Sequence, residues 1–494
     1  MCLFFLARRY LLARWIMSGA ATLAVLLAVF SLVVVRSVFE GFGDQMREMV
    51  RGTNSHLVVV TAQPMNLPYG EEIADAIEKI DHVRGAAPYI ETVAMLQTRT
   101  AMGQRTDYVQ LKGVDPVREA RASDFAYYLL RDQDLFTAFE RRGRRLGRAR
   151  DRPPLSAEEI MEIFSRERRD RLWEKYRRRL AEFDPKGAER LSEKLPPPCI
   201  VGIQALVGFG SPIRFGEPIQ LTTYSPQSGR VVTGEFLVVG AFHTGLFEVD
   251  LRTVIVPLQA ACEFLELYDE TLPDADGFPA GGYRVSGVQV ALDDYERYKD
   301  QVIEAVGRAL TPFYKRLLRA SERSKLFEPL TMTWEQRKRN LLRAVRIEKG
   351  IVSLILGILV IFVGAIIFLI LTLNVTEKRR DIGILKAVGA TSRSIFAIFL
   401  IHGSTICLVG LILGFFAGLA FSDNINTIHD MIRRSTGFQL FPPDVYYLDR
   451  IPVSIKLRDL GLISSLTVLF GLLGSLLPAY WAARQDPIEA IRFE

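Results

Sequence analysis

Four uninterrupted apolar runs, at 16–35, 351–373, 395–421 and 460–479, stand out from a chain that is otherwise finely mixed in polarity. None contains Asp, Glu, Lys or Arg, and the only ionisable side chains within them are His402 and Cys407 in the third run. A bilayer core of about 30 Å needs roughly 20 helical residues at about 1.5 Å each. The pattern therefore predicts four transmembrane helices, at 16–39, 346–374, 395–421 and 459–483. The first run is too long for a signal-peptide core, and Val33-Val34-Val35-Arg36 offers no small-residue cleavage site, so it reads as an uncleaved anchor after a cytoplasmic N-terminus at 1–15.

The long segment between the first two runs, 40–345, has a different rhythm. Alternation and β-branched residues predict strands at 57–61, 89–100 and 106–114, with an amphipathic helix at 71–80. Towards its far end a strand at 283–291 precedes a helix at 294–310. The middle adds strands at 219–223, 231–239 and 253–256, and Ser225-Pro226-Gln227-Ser228-Gly229 predicts a hairpin turn. This is the pattern of a β-rich module inserted into an α/β one. Between 118 and 197 the composition turns to dense Arg and Glu. Ile160, Phe164, Leu172, Tyr176, Leu180 and Phe183 recur there at helical spacing, which predicts a solvated amphipathic helical insertion. The compact cluster Arg141-Arg142-Gly143-Arg144-Arg145 leaves open a partner or anionic-lipid surface.

Charge fixes an orientation. The loop after the second run holds Lys378, Arg379, Arg380, Lys386 and Arg393, and the N-terminus holds Arg8, Arg9 and Arg14. Positive residues favour the cytoplasmic side, so the loop at 375–394 and the tail at 484–494 are expected inside, and 40–345 and the loop at 422–458 outside. Arg433, Arg434, Arg450, Lys456 and Arg458 run against this rule. Over 494 residues the net charge is +6, and the positive residues lie mostly beside the spans or in the mixed-charge block at 118–197, so membrane topology explains them without nucleic acid. Of the 4 cysteines, Cys199 and Cys262 fall in the large domain, where pairing is open.

No catalytic constellation is present. No Lys follows a Gly, so the phosphate-cradling P-loop is absent, and there is no H-E-x-x-H, CxxC or G-x-S-x-G. No metal or cofactor site is expected in the chain. The informative stretch is the loop between the second and third runs. Glu377, Arg379 and Arg380 open it, and Ile382, Leu385 and Val388 follow at three-residue spacing beside Ile384, with Gly389 as a stop. A short amphipathic helix between two spans must seat its apolar face in the headgroup region or in a partner's groove. In the third span Gly410, Gly414 and Gly418 form a small-xxx-small ridge for close helix contact, within one chain or with a second.

The run EKRRDIGILKAVGAT before a span, with Leu477-Pro478-Ala479-Tyr480-Trp481-Ala482-Ala483-Arg484 and Asp486-Pro487-Ile488-Glu489-Ala490-Ile491-Arg492, resembles the FtsX-like permease domain of MacB-type ABC transporters. Within that superfamily the lipoprotein-releasing permeases of LolC/LolE type are the nearest resemblance. It is carried by Val38-Phe39-Glu40-Gly41-Phe42, the run 50–59, Gly113-Val114-Asp115-Pro116 and the run 240–250 followed by 254–258. Trp334, Asn340, Leu341, Ala344, Glu348 and Lys349 ahead of the second span add to it. The implied fold is an α-helical membrane protein of four transmembrane helices with a large α/β plus β-rich periplasmic domain between helices 1 and 2.

The resemblance further implies a permease subunit in the bacterial inner membrane that is not itself an enzyme. ATP would be used by a separate cytoplasmic ABC ATPase of LolD type. Residues 377–390 would be the coupling helix, with Ile382, Leu385 and Val388 packed into the ATPase and Glu377, Arg379 and Arg380 as the polar rim. Further partners would be a second permease protomer, identical or paralogous, and lipoprotein cargo moved by mechanotransmission. A periplasmic carrier chaperone also belongs to the family picture. The 225–229 turn is short where LolC-type proteins carry an extended hairpin for that chaperone, and the 118–197 enlargement is a second departure. MacB-like export of another amphiphile or peptide, and FtsX-like activation of a periplasmic enzyme, are the alternatives.

Overall fold

The computed structural model describes residues 15–52, 55–63, 65–100, 103–135, 152–185, 194–207, 213–274, 280–320, 329–436 and 451–486. Arg8, Arg9, Arg14, the 141–145 cluster, Arg450 and the C-terminal motif from Pro487 onward lie outside them. The chain divides into two compact units. One comprises Met1–Met46, Asn340–Pro442 and Arg450–Glu494, and the other Arg47–Arg339 and Pro443–Asp449.

In the second unit a 9-stranded sheet has the order β11-β1-β10-β2-β3-β7-β4-β6-β5. Its strands are β1 (Leu57–Val60), β2 (Val83–Thr100), β3 (Gly103–Val114), β4 (Pro198–Gly202), β5 (Pro218–Tyr224), β6 (Val231–Phe242), β7 (Thr253–Pro257), β10 (Gly287–Leu292) and β11 (Leu330–Thr333). The short β8 (Tyr268–Asp269) and β9 (Gly282–Tyr283) pair separately. β2 also pairs with β5, in the register Met95↔Thr222, Leu96↔Leu221, Gln97↔Gln220. That pairing closes β2-β3-β7-β4-β6-β5 into a ring, and Leu96 and Leu221 are buried at the seam. The two modules expected from sequence are therefore one sheet sharing β2 and β3. The hairpin turn at 225–229 is present, with Tyr224 opposite Val231 and Gly229 at φ 66.

The charged segment is not a solvated addition. Ser156 and Ser165 cap two successive helices, Ala157–Ile163 and Arg166–Phe183, and the break between them redirects the apolar face. Ile160, Ile163 and Trp173 join the core formed by Ile200, Leu237, Val239, Phe242 and Ile255. Arg168 Nε donates to the Val239 carbonyl, while Phe183 ends 82% exposed. Packing begins earlier still, because Arg118 belongs to the helix Pro116–Ala122, whose Glu119 is buried against Lys112.

Among the described residues of the first unit, four helices are long and apolar enough to cross a membrane. They are Ser18–Gln45, Leu342–Glu377, Ser392–Ile432 and Leu457–Arg484, hereafter the first to fourth membrane helices. Two continue past their apolar runs, the first to Gly52 and the third to Thr436. No proline falls in 36–52 or 422–436, so nothing breaks the helix where the hydrophobicity stops. The helices share one core, in which Val25, Val29 and Val33 of the first meet Val360, Val363 and Ile367 of the second and Ile406 and Leu411 of the third.

Candidate functional site

The loop between the second and third membrane helices folds as a separate helix, Arg379–Ala387. It ends in a Schellman motif, with Ala390 N–H donating to the Leu385 carbonyl and Gly389 N–H to that of Lys386. Gly389 has φ 106, which an L side chain adopts only with strain. Thr391 then caps the third membrane helix, its Oγ1 accepting from Ser394 N–H at 3.3 Å.

The stripe named from sequence is divided between two faces. Ile382 is 1% exposed and packs with Val375, Ile395, Ile398, Phe399, Ala479 and Ala482, and Leu385 lies against the same cluster. These belong to the second, third and fourth membrane helices, so Ile382 and Leu385 anchor the short helix to its own chain. Lys386 Nζ adds bonds to the Ala483 and Gln485 carbonyls at 2.7 Å, at the end of the fourth helix. The outward face is Glu377, Arg380, Ile384, Ala387 and Val388, with Ile384 47% and Val388 84% exposed. Arg379 is half-buried, and Lys378 pairs with Asp381. Of the three residues expected to meet a partner, Val388 alone is presented to one. Ile384 takes the place expected of Leu385, because 384 and 388 are four apart and 382 and 385 face the spans.

The glycine ridge faces inward. A Cβ at Gly410 would lie 2.7 Å from Val25 Cβ, one at Gly414 2.6 Å from the Leu26 carbonyl oxygen, and one at Gly418 2.8 Å from Val33 Cβ, so all three receive the first membrane helix of the same chain. Two further glycines went unnoticed in the sequence. A Cβ at Gly474 would meet the Gly364 carbonyl oxygen at 2.2 Å, and one at Gly364 the Phe470 carbonyl oxygen at 2.7 Å, which sets the crossing of the second and fourth helices. These glycines are ten residues or more apart from one another in different runs or lack a four-residue partner, so no stripe announces them.

Other chemistry-bearing groups prove structural. Asp250, 1% exposed, accepts from His243 Nδ1 at 2.8 Å, from Thr244 N–H and Oγ1, and from Gly245 N–H, so the 243–250 motif is a locked turn. Cys199 and Cys262 are buried free thiols. His402 is 4% exposed inside the third helix, with neither ring nitrogen hydrogen-bonded. Among the described residues, no group of three or more His, Cys, Asp or Glu could hold a metal ion.

Comparison with known proteins agrees with this architecture. The FtsX-like permease C-terminal family matches residues 353–487, and the MacB-like periplasmic core domain matches 18–146. The lipoprotein-releasing system transmembrane protein LolC of Xylella fastidiosa strain Temecula1 is 22% identical, over 97% of this chain and 94% of its own length. The corresponding LolE of Haemophilus influenzae is 20% identical over 95% and 93%. Among solved structures, the periplasmic region of MacB from Actinobacillus actinomycetemcomitans aligns with a TM-score of 0.29 and 11% identity, over 59% of this chain and 93% of that one. Residues 18–146 thus resemble a MacB-like periplasmic core domain and residues 353–487 an FtsX-like permease domain, and the chain is similar to the LolC and LolE transmembrane proteins along nearly its whole length.

Proposed function

We propose that this chain is the permease subunit of an ABC transporter that extracts lipoproteins from the bacterial inner membrane, driven by a separate cytoplasmic ATPase. The observation that carries the reading is the Ile384–Val388 face, an apolar surface left open on a helix whose other side is fixed to three membrane helices. Such a face fits a groove on a soluble subunit, with Glu377 and Arg380 at its rim. A push on it moves the ends of the second, third and fourth helices together, because Ile382, Leu385 and Lys386 tie it to them. Work is then delivered to the far side without a pore through the chain.

That mode of action suits an acylated cargo. Each buried methylene holds the cargo by about 0.8 kcal/mol, so several acyl chains resist extraction by tens of kcal/mol. The full-length similarity to LolC and LolE supports this cargo class over other amphiphiles. The assembly would contain a second permease protomer, with the large domain in the periplasm. Depleting the protein and separating inner from outer membranes tests the reading. Retention of lipoproteins in the inner membrane is expected, and an unchanged distribution would refute it.

A further inference from the structure

At the end of the membrane unit away from the coupling helix, six charged side chains are gathered on helices that elsewhere meet through apolar contacts. Arg36, Glu40 and Asp44 stand one turn apart on the first membrane helix. Glu40 Oε2 accepts from Lys349 of the second helix at 3.0 Å and from Lys456, just before the fourth, at 2.8 Å. Lys456 also reaches Asp44 at 3.0 Å. Arg36 bonds Asp459 of the fourth helix at 3.0 Å, Ser353 of the second at 2.8 Å, and Glu40 at 3.2 Å. The Glu40 side chain is 8% exposed and Asp459 14%. Three cations balance three carboxylates.

Stability alone gives no reason for this. A buried ion pair is seldom more stabilising than well-packed apolar side chains of the same volume, and its best-attested use is to fix register or to switch. The layout is that of a register with two positions. Asp44 repeats Glu40 one turn along the first helix, and Lys456 already bridges both. The stem of Lys349 runs past Gly43, where an added Cβ would lie 2.5 Å from Lys349 Cε, so glycine makes the room that lets Lys349 reach Glu40.

We propose that these residues form a two-position latch on the outer ends of the first, second and fourth membrane helices. In the resting state Lys349 and Lys456 share Glu40. When the ATPase acts at the far end of the second helix, Lys349 transfers to Asp44, and the first and second helices slip by one helical turn. This rests on the reading that a motor works the chain through its coupling helix. A one-turn ratchet between discrete registers is a known mode of helix motion, and intermediate positions here would leave charges unpaired and side chains clashing.

The test uses the whole transporter in lipid nanodiscs, with spin labels at positions 42 and 346 of a chain cleared of native cysteines. The separation between labels is expected to change by about 5 Å, one helical turn, between the nucleotide-free and vanadate-trapped states. Glu40→Gln is expected to raise cargo-independent ATP turnover roughly tenfold, because the resting position loses its acceptor. Asp44→Asn is expected to slow cargo release by a similar factor with the ATPase still bound, whereas Gly43→Val, whose side chain would strike Lys349 where it rests on Glu40, is expected to act like Glu40→Gln. Label separations identical in both states overturn the latch, whatever the variants do. So does wild-type release by Asp44→Asn. Loss of ATPase from the unmodified chain overturns the motor reading and the latch with it, whereas a motor that moves labels near Val388 but not the 42–346 pair overturns the latch alone.

Discussion

Leu385 and Val388 lie within one turn of each other, yet substitution of the two is expected to have opposite consequences. Leu385→Asp sets a carboxylate against Ile382, Ile395 and Ala479 at a half-buried position, at a cost of about 1–3 kcal/mol, and should lower the amount of folded protein in the membrane. Val388→Asp and Ile384→Asp place the charge in solvent. They should leave the protein level intact and abolish co-purification of the ATPase and cargo release; a double variant that still recruits the ATPase at wild-type yield would exclude this face. The cysteines follow a similar logic of position. Burial pushes the Cys262 thiol up to about 12 and raises that of Cys199 further, so thiolate is scarce at neutral pH. Intact-mass measurement should show no maleimide addition at either residue until the domain is unfolded, and rapid labelling of native protein would contradict their placement.

At the level of the element, Gly389 and Gly414 are required for different physical reasons. Gly389→Ala meets no neighbour but forces a side chain into the left-handed region at φ 106, with a cost of about 1 kcal/mol in turn strain. The helix Arg379–Ala387 should then sit at a different angle, and on the proposed function ATP-driven release should fall while thermal stability drops only slightly. Gly414→Leu pushes a side chain into the Leu26 backbone, and overpacking of this kind costs about 1–3 kcal/mol. A lowered midpoint of thermal aggregation in detergent is expected, and an unchanged midpoint would mean that the first and third helices are not in contact. Both glycines were legible in the sequence as a stop and a stripe, because helix termination and small-residue spacing are local signals. The surfaces they meet were not legible, since contact partners are set by tertiary packing. The coupling stripe shows the same limit. Three-residue spacing drifts around a helix of 3.6 residues per turn, so Ile382, Leu385 and Val388 span too wide an arc to share one surface. The β2–β5 pairing is a further case, joining residues more than a hundred positions apart by backbone bonds that leave no compositional trace.

For the whole molecule, one of the five positive residues that run against the charge rule finds a structural place, because Lys456 pairs with Glu40 and Asp44. The large domain, some three hundred residues by the loop-length reckoning that exempts it from charge counting, enters and leaves its sheet at adjacent places. β1 pairs with β11 across Leu57↔Thr333 to Val60↔Leu330, and Trp334 N–H donates to the His56 carbonyl at 3.2 Å. A domain whose ends meet as neighbouring strands needs nothing from the spans to close its sheet, and insertion between two helices is then topologically cheap. Its core of Ile160, Ile200, Leu237, Val239 and Ile255 is likewise drawn from within the unit. Residues 55–337, exported alone to an oxidising compartment, are therefore expected to fold as a monomer with mixed helix and strand content and one cooperative thermal transition by circular dichroism. Removing 157–183 from that fragment should abolish the transition, because Ile160, Ile163 and Trp173 fill the core rather than decorate it. A fragment that melts without cooperativity, or one that keeps its transition after the deletion, would show that the sheet depends on the membrane helices or that the charged helices are dispensable.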